Sequence, residues 1–161
     1  MKREFPDRPI VGVGGVVISD GTVLLIRRGA EPLKGEWSLP GGMLELGEHL
    51  ESGVQRELLE ETGLDVEPLE VVEVFDRIVS EGGRVRYHYV IVDYLCVWKE
   101  GTLCPSSDVM DARWVRRENL GQYRLTDKAT SVIEQSFAMM KRRAQGKNRK
   151  PFGTSSKQHT T

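Results

Sequence analysis

Three glutamates, Glu57, Glu60 and Glu61, lie one helical turn apart in a segment that runs Gly-Met-Leu-Glu-Leu-Gly-Glu-His-Leu-Glu-Ser-Gly-Val-Gln-Arg-Glu-Leu-Leu-Glu-Glu-Thr-Gly-Leu over residues 42–64. On a helix from His49 to Thr62, with residues advancing roughly 100° each, all three project within an arc of roughly 100°. Like charges at that spacing repel, so the arrangement becomes favourable when a cation sits among them. Carboxylate oxygens without Cys or clustered His select a hard ion, Mg²⁺ with Mn²⁺ as a substitute, over zinc. The competing reading is a Glu-rich surface helix that serves solubility. Leu50, Val54 and Leu58, spaced by four, form an apolar stripe that would fix the helix against a core. Gly63 suits a left-handed C-cap, and Gly41, Gly42 and Gly47 bracket a tight loop leading into the helix.

The spacing Gly42, five residues, Glu48, seven residues, Arg56-Glu57-Leu58, one residue, Glu60-Glu61, one residue, Gly63-Leu64 resembles the Nudix box at all nine of its defined positions. Trp37-Ser38-Leu39-Pro40-Gly41-Gly42 and Val23-Leu24-Leu25-Ile26-Arg27-Arg28 resemble the family's approach to the box, so the likeness covers roughly residues 9–140. It implies an α/β fold, a Nudix α/β/α sandwich with a mixed sheet and a catalytic loop-helix-loop. It also implies metal-dependent hydrolysis of a diphosphate linkage in a nucleoside diphosphate joined to another moiety, ADP-ribose or a related nucleotide sugar among them.

By the same resemblance the metal is held by Glu57, Glu60, Glu61 and the carbonyl of Gly42, while Arg56 pairs with Glu48 to orient the helix carboxylates. The general base is either Glu57 or Asp108, the latter within Pro105-Ser106-Ser107-Asp108, which is also ordinary turn chemistry. Arg27 and Arg28 lie where substrate phosphates are often met, but one must point away if the strand alternates. Trp37 either stacks on a base or closes the core, and Tyr87, His88 and Tyr89 either line the pocket or serve the strand. A proline common downstream of the box in ADP-ribose enzymes is missing around Ser80, which weighs against that substrate. A nucleoside triphosphate pyrophosphatase is the alternative enzyme, and a non-catalytic nucleotide-sugar sensor the alternative of another class.

The elements that must position these residues are legible as patterns. Ile10 to Ile18 and Val23 to Arg28 are aliphatic runs around Asp20-Gly21, a hairpin signal. Val66 to Val79 and Val85 to Trp98 form a second hairpin around Glu81-Gly82-Gly83. Ala112 to Val115 reads as a short strand, and after Thr126, an N-cap, apolar Ala129, Val132, Ile133, Phe137 and Met140 recur at helical spacing. The chain has 161 residues, 39% of them hydrophobic, enough for one domain with a core.

Its formal charge of −1 is unevenly spread. Seven of the 23 Lys and Arg lie from Lys141 onward with no acid beside them, which leaves 16 against 24 acids in residues 1–140. The expected division is a Nudix domain over 1–140 and a basic, flexible tail over 141–161. Phe152 alone gives no aromatic interleaving for base stacking, so nucleic acid is not the expected partner. Cys96 and Cys104 form no metal-type pair, and a bridge between them has no support. With no apolar run of membrane length and no secretory signal, the expectation is a cytoplasmic homodimer acting on a small nucleotide.

Overall fold

The computed structural model describes residues 2–147. Strands β1 (Ile10–Ser19) and β2 (Thr22–Arg28) are joined by Asp20 and Gly21, which both take left-handed backbone with φ of 48° and 74°. That two-residue geometry matches the twist of the flanking strands, so the hairpin expected from the sequence forms. Two short strands follow, β3 (Trp37–Ser38) and β4 (Gly41–Met43), and then helix α1 (Leu50–Thr62). Next come β5 (Asp65–Glu81), β6 (Arg84–Glu100) and β7 (Val109–Arg116), a 3-10 helix over Arg117–Tyr123, and helix α2 (Asp127–Lys147).

The strands make one seven-stranded sheet in the order β3-β2-β1-β6-β5, with β4 also pairing β1 and β7 also pairing β2. The pairing of β1 with β6 is parallel and the others are antiparallel, so the sheet is mixed. Strand alternation sends Val13 and Val17 of β1 to one face and Val16 and Ile18 to the other. On the first face they pack with Val54 and Leu58 of α1, and on the second with Val132 and Ile133 of α2. The result is an α/β/α sandwich, with β1 buried from Gly12 through Ile18 because helices cover both its faces.

Helix α1 is held by its apolar stripe. Val54 and Leu58 are fully buried, and each such side chain contributes roughly 1.5–3 kcal/mol relative to exposure. The helix ends at Gly63, whose φ of 74° is the left-handed turn expected there and whose N–H bonds the Leu59 carbonyl. For α2, the Thr126 hydroxyl accepts from the Ala129 N–H at 3.1 Å, as its position before the helix predicts.

Several boundaries differ from the sequence expectation. β7 extends well beyond Ala112–Val115, because its residues complete the ladder of β2 from Thr22 to Arg28. Helix α2 runs on past residue 140 to Lys147, with Arg143 reaching Glu70 of β5 at 2.8 Å. The remainder of the basic tail, 148–161, lies outside the described residues. Cys96 is buried and Cys104 exposed, and both are free thiols. No described helix is long and apolar enough to cross a membrane.

Candidate active site

Glu61 of α1 and the glycine strand β4 line a cavity of about 470 Å³, and the other helix carboxylates lie close by. Arg56 organises them. Its Nε and Nη2 donate to both oxygens of Glu48 at 2.7 and 2.8 Å, and Nη2 also donates to the Met43 carbonyl at 3.0 Å. Its Nη1 reaches Glu57 at 2.8 Å and Glu60 at 3.3 Å. A bidentate fork of this kind fixes direction as well as charge. It holds the Glu48 carboxyl down to about 2. The Arg56 guanidinium is in turn held strongly protonated, first by its bonds to Glu48.

Glu57 lies directly over Gly42, where a Cβ would collide with its carboxylate. Only glycine lets strand and carboxylate approach this closely. Burial raises the Glu57 carboxyl, with Arg56 opposing. One turn on, a Glu61 oxygen accepts the Gly41 N–H at 3.0 Å. Burial pushes this carboxyl up to about 8, helped by repulsion from Glu57 and Asp108 and opposed by the Gly41 bond and Arg28. Glu60 is placed differently: its side chain is 60% exposed and turned to Arg56. The structure therefore brings Glu57 and Glu61 together beside β4 and leaves Glu60 on the outer side. Among the described residues, no three acidic side chains converge as a ready-made cation cage.

The donor set still fits a hard divalent ion. Two carboxylates are crowded against the glycines of β4, and burial drives one of them toward its neutral form, which a cation beside it would reverse. Glu60 requires only a turn of an exposed side chain to join them.

Of the two arginines at the end of β2, the structure separates one from the other. Arg28 lines the cavity, while Arg27 is exposed and bonds the Gly35 carbonyl at 2.8 Å. They are successive residues of a strand, so their side chains leave it on opposite faces, and a register shift in the β2–β7 ladder falls between them. Burial lowers the Arg28 guanidinium, with Arg77 adding repulsion. Asp108 is exposed and lines the same cavity from the loop before β7. Trp37 lines it too, edge-on to Tyr123 at 5.0 Å and under Arg113. Tyr89 faces the cavity, whereas the Tyr87 hydroxyl donates to Glu4 at 2.8 Å.

Sequence reasoning missed four charged groups on the wall: Arg3, Arg77, Asp93 and Lys128. Arg3 precedes every periodic segment and gives no signal. Asp93 does give one, because it is the lone acid inside the apolar run of β6, Tyr-Val-Ile-Val-Asp-Tyr-Leu-Cys-Val.

Comparison with known proteins adds to this geometry. The family model described as NUDIX domain matches residues 8–136. An ADP-ribose pyrophosphatase of Methanocaldococcus jannaschii is 34% identical over 112 residues, 70% of this chain and 64% of that protein. A nucleoside triphosphatase NudI of Salmonella paratyphi B is 28% identical over 120 residues, 68% of this chain and 84% of that one. The chain spans under two thirds of the first relative and about two fifths of two others, at 41% and 43% of their lengths. Among solved structures, a MutT NUDIX hydrolase from Burkholderia pseudomallei superposes with a TM-score of 0.68 at 31% identity, covering 80% of this chain and 98% of that one.

Proposed function

The chain belongs to the Nudix family, and on that footing we propose that it hydrolyses the diphosphate linkage of a nucleoside diphosphate joined to another moiety, with Mg²⁺ as the cofactor and Mn²⁺ as a substitute. The observation that carries this reading is the juxtaposition of Glu57 and Glu61 with Gly41 and Gly42, beside the cavity that Glu61 and both glycines line. Burial disfavours the ionised form of both carboxylates, and a divalent cation held beside them would restore it.

Glu57, Glu61 and the Gly42 carbonyl would hold the ion, with Glu60 as a further carboxylate, and when bound it would supply charge neutralisation for the phosphate oxygens. Arg56 keeps Glu57 and Glu48 in fixed directions, so the carboxylates do not have to be ordered at each turnover. Arg28, turned inward, binds phosphate oxygens. Glu57 or Asp108 accepts the proton of the attacking water. The cavity beyond them, lined by Trp37, Leu39, Phe75 and Ile91, has the apolar walls and the volume that a nucleoside needs.

The test is turnover of a panel with product identification: ADP-ribose, other nucleotide sugars, dinucleoside polyphosphates and nucleoside triphosphates, each with Mg²⁺ and with chelator. Release of a nucleoside monophosphate from a nucleotide sugar, only with metal, supports the reading. Release of pyrophosphate from triphosphates alone moves the chain to the triphosphatase alternative. Binding of a nucleotide sugar with no turnover of any panel member makes it a sensor.

A further inference from the structure

Asp93 is 5% exposed and stands on the cavity wall. Burial pushes its carboxyl up to about 7, with an attraction from Arg77 opposing and a repulsion from Glu73 helping. Glu73 is engaged elsewhere, with Lys128 at 2.9 Å. A carboxyl this deep that faces a cavity is placed to meet a polar group of whatever fills it. The strand register makes room for this one. Asp93 pairs with Gly14 of β1, where a Cβ would collide with its carboxylate. Gly14 pairs in turn with Gly41 of β4.

Asp93 is therefore two strands from the glycine that bonds Glu61, a distance of roughly 10 Å at ordinary strand spacing. That is the span from a diphosphate across a ribose to the edge of a base. The same sheet face carries Ile91, paired with Phe75, which offers apolar surface to the faces of a ring.

We infer that Asp93 is a specificity-determining residue that accepts N–H donors from the edge of the substrate's base, with a guanine-type edge as its best match. This rests on the nucleotide reading above. A carboxylate presents two acceptor oxygens side by side. Among the common bases only guanine offers two adjacent N–H groups, the ring N1–H and the 2-amino group, to meet both. Adenine and cytosine set one donor beside an acceptor, and uracil flanks its N–H with two carbonyls, so each leaves one carboxylate oxygen unmet or opposed.

The test is a pair of ligands that differ by one amino group. GMP and IMP share everything except the 2-amino donor, and their equilibrium binding by the full chain needs no hydrolysis. The wild type binds GMP more tightly than IMP by on the order of 10- to 100-fold, the worth of one hydrogen bond to a charged acceptor. D93N, whose amide keeps the size but only one acceptor, reduces that ratio to about threefold or less. D93A does the same, and circular dichroism checks that it folds; D93N, nearly isosteric, carries the test if D93A does not. Equal binding of GMP and IMP by the wild type, or an unchanged ratio in D93N, overturns the inference. Base discrimination in binding without hydrolysis of any nucleotide keeps this inference and sinks the hydrolase reading. Metal-dependent hydrolysis of guanosine and inosine diphosphate sugars with equal kcat/KM does the reverse.

Discussion

Replacing Arg56 with Ala tests whether the guanidinium fork organises the acid cluster. The side chain makes two bonds to Glu48, one each to Glu57 and Glu60, and one to the Met43 carbonyl. The Glu48 carboxyl, held down to about 2 from an ordinary 4.5, bounds its part of the coupling at about 3 kcal/mol. Arg56 and Glu48 side chains are 23% and 14% exposed, and solvent screening brings the expected loss to about 1–2 kcal/mol. The sign follows from the direction. A carboxyl depressed in the folded state contributes stability that is present above 4.5 and disappears as pH falls toward 2. Urea unfolding of the wild type and R56A therefore gives curves separated by that amount at pH 7 that converge as the pH drops through 4. Turnover of R56A falls as well, because Glu57 loses the bond that directs it. A stability gap that is absent at pH 7, or that stays constant down to pH 3, refutes the coupling.

Three further outcomes follow from the same structure. Leu58→Ala empties a fully buried site against Gly15 and costs about 2–5 kcal/mol in urea or thermal unfolding, with a cost near zero contradicting the packing. Asp93, raised in the folded state to about 7 from 3.8, binds its proton more tightly when folded, so the metal-free protein loses stability as pH rises from 4 to 7; D93N removes that slope, whose full height is at most about 4 kcal/mol. For the base, Glu57→Gln slows the chemical step at saturating metal while Asp108→Asn is nearly silent; a comparable fall in D108N assigns the proton to Asp108.

The loop-helix-loop was legible because its signals are local: three apolar residues spaced by four, glutamates one turn apart and a glycine at the helix end. The two hairpins were legible for the same reason, through Asp20-Gly21 and Gly82-Gly83. Strands β3 and β4 were not, since they are two and three residues long and owe their existence to partners in β2 and β1. Alternation predicted that one of Arg27 and Arg28 points away, but which one depends on the face of the sheet that borders the cavity, a tertiary relation. Helical spacing placed Glu60 with Glu57 and Glu61, yet it could not foresee that Arg56 would hold Glu60 on the solvent side. Asp93 enters the site through pairing across β1, a long-range relation that no local pattern encodes.

The most direct measurement of the central claim is Mg²⁺-dependent turnover compared between the wild type and Glu61→Gln, with ion binding followed by calorimetry in the same samples. Glu61 sits at the junction of helix, glycine strand and cavity, and its loss removes a carboxylate ligand without removing the hydrogen bond an amide oxygen still accepts from Gly41. The account predicts that the variant folds, binds Mg²⁺ at least ~10-fold more weakly and loses on the order of 100-fold or more in turnover, with added metal restoring only part of it. Full turnover by E61Q with unchanged ion affinity, or wild-type hydrolysis that persists in excess chelator, would contradict it.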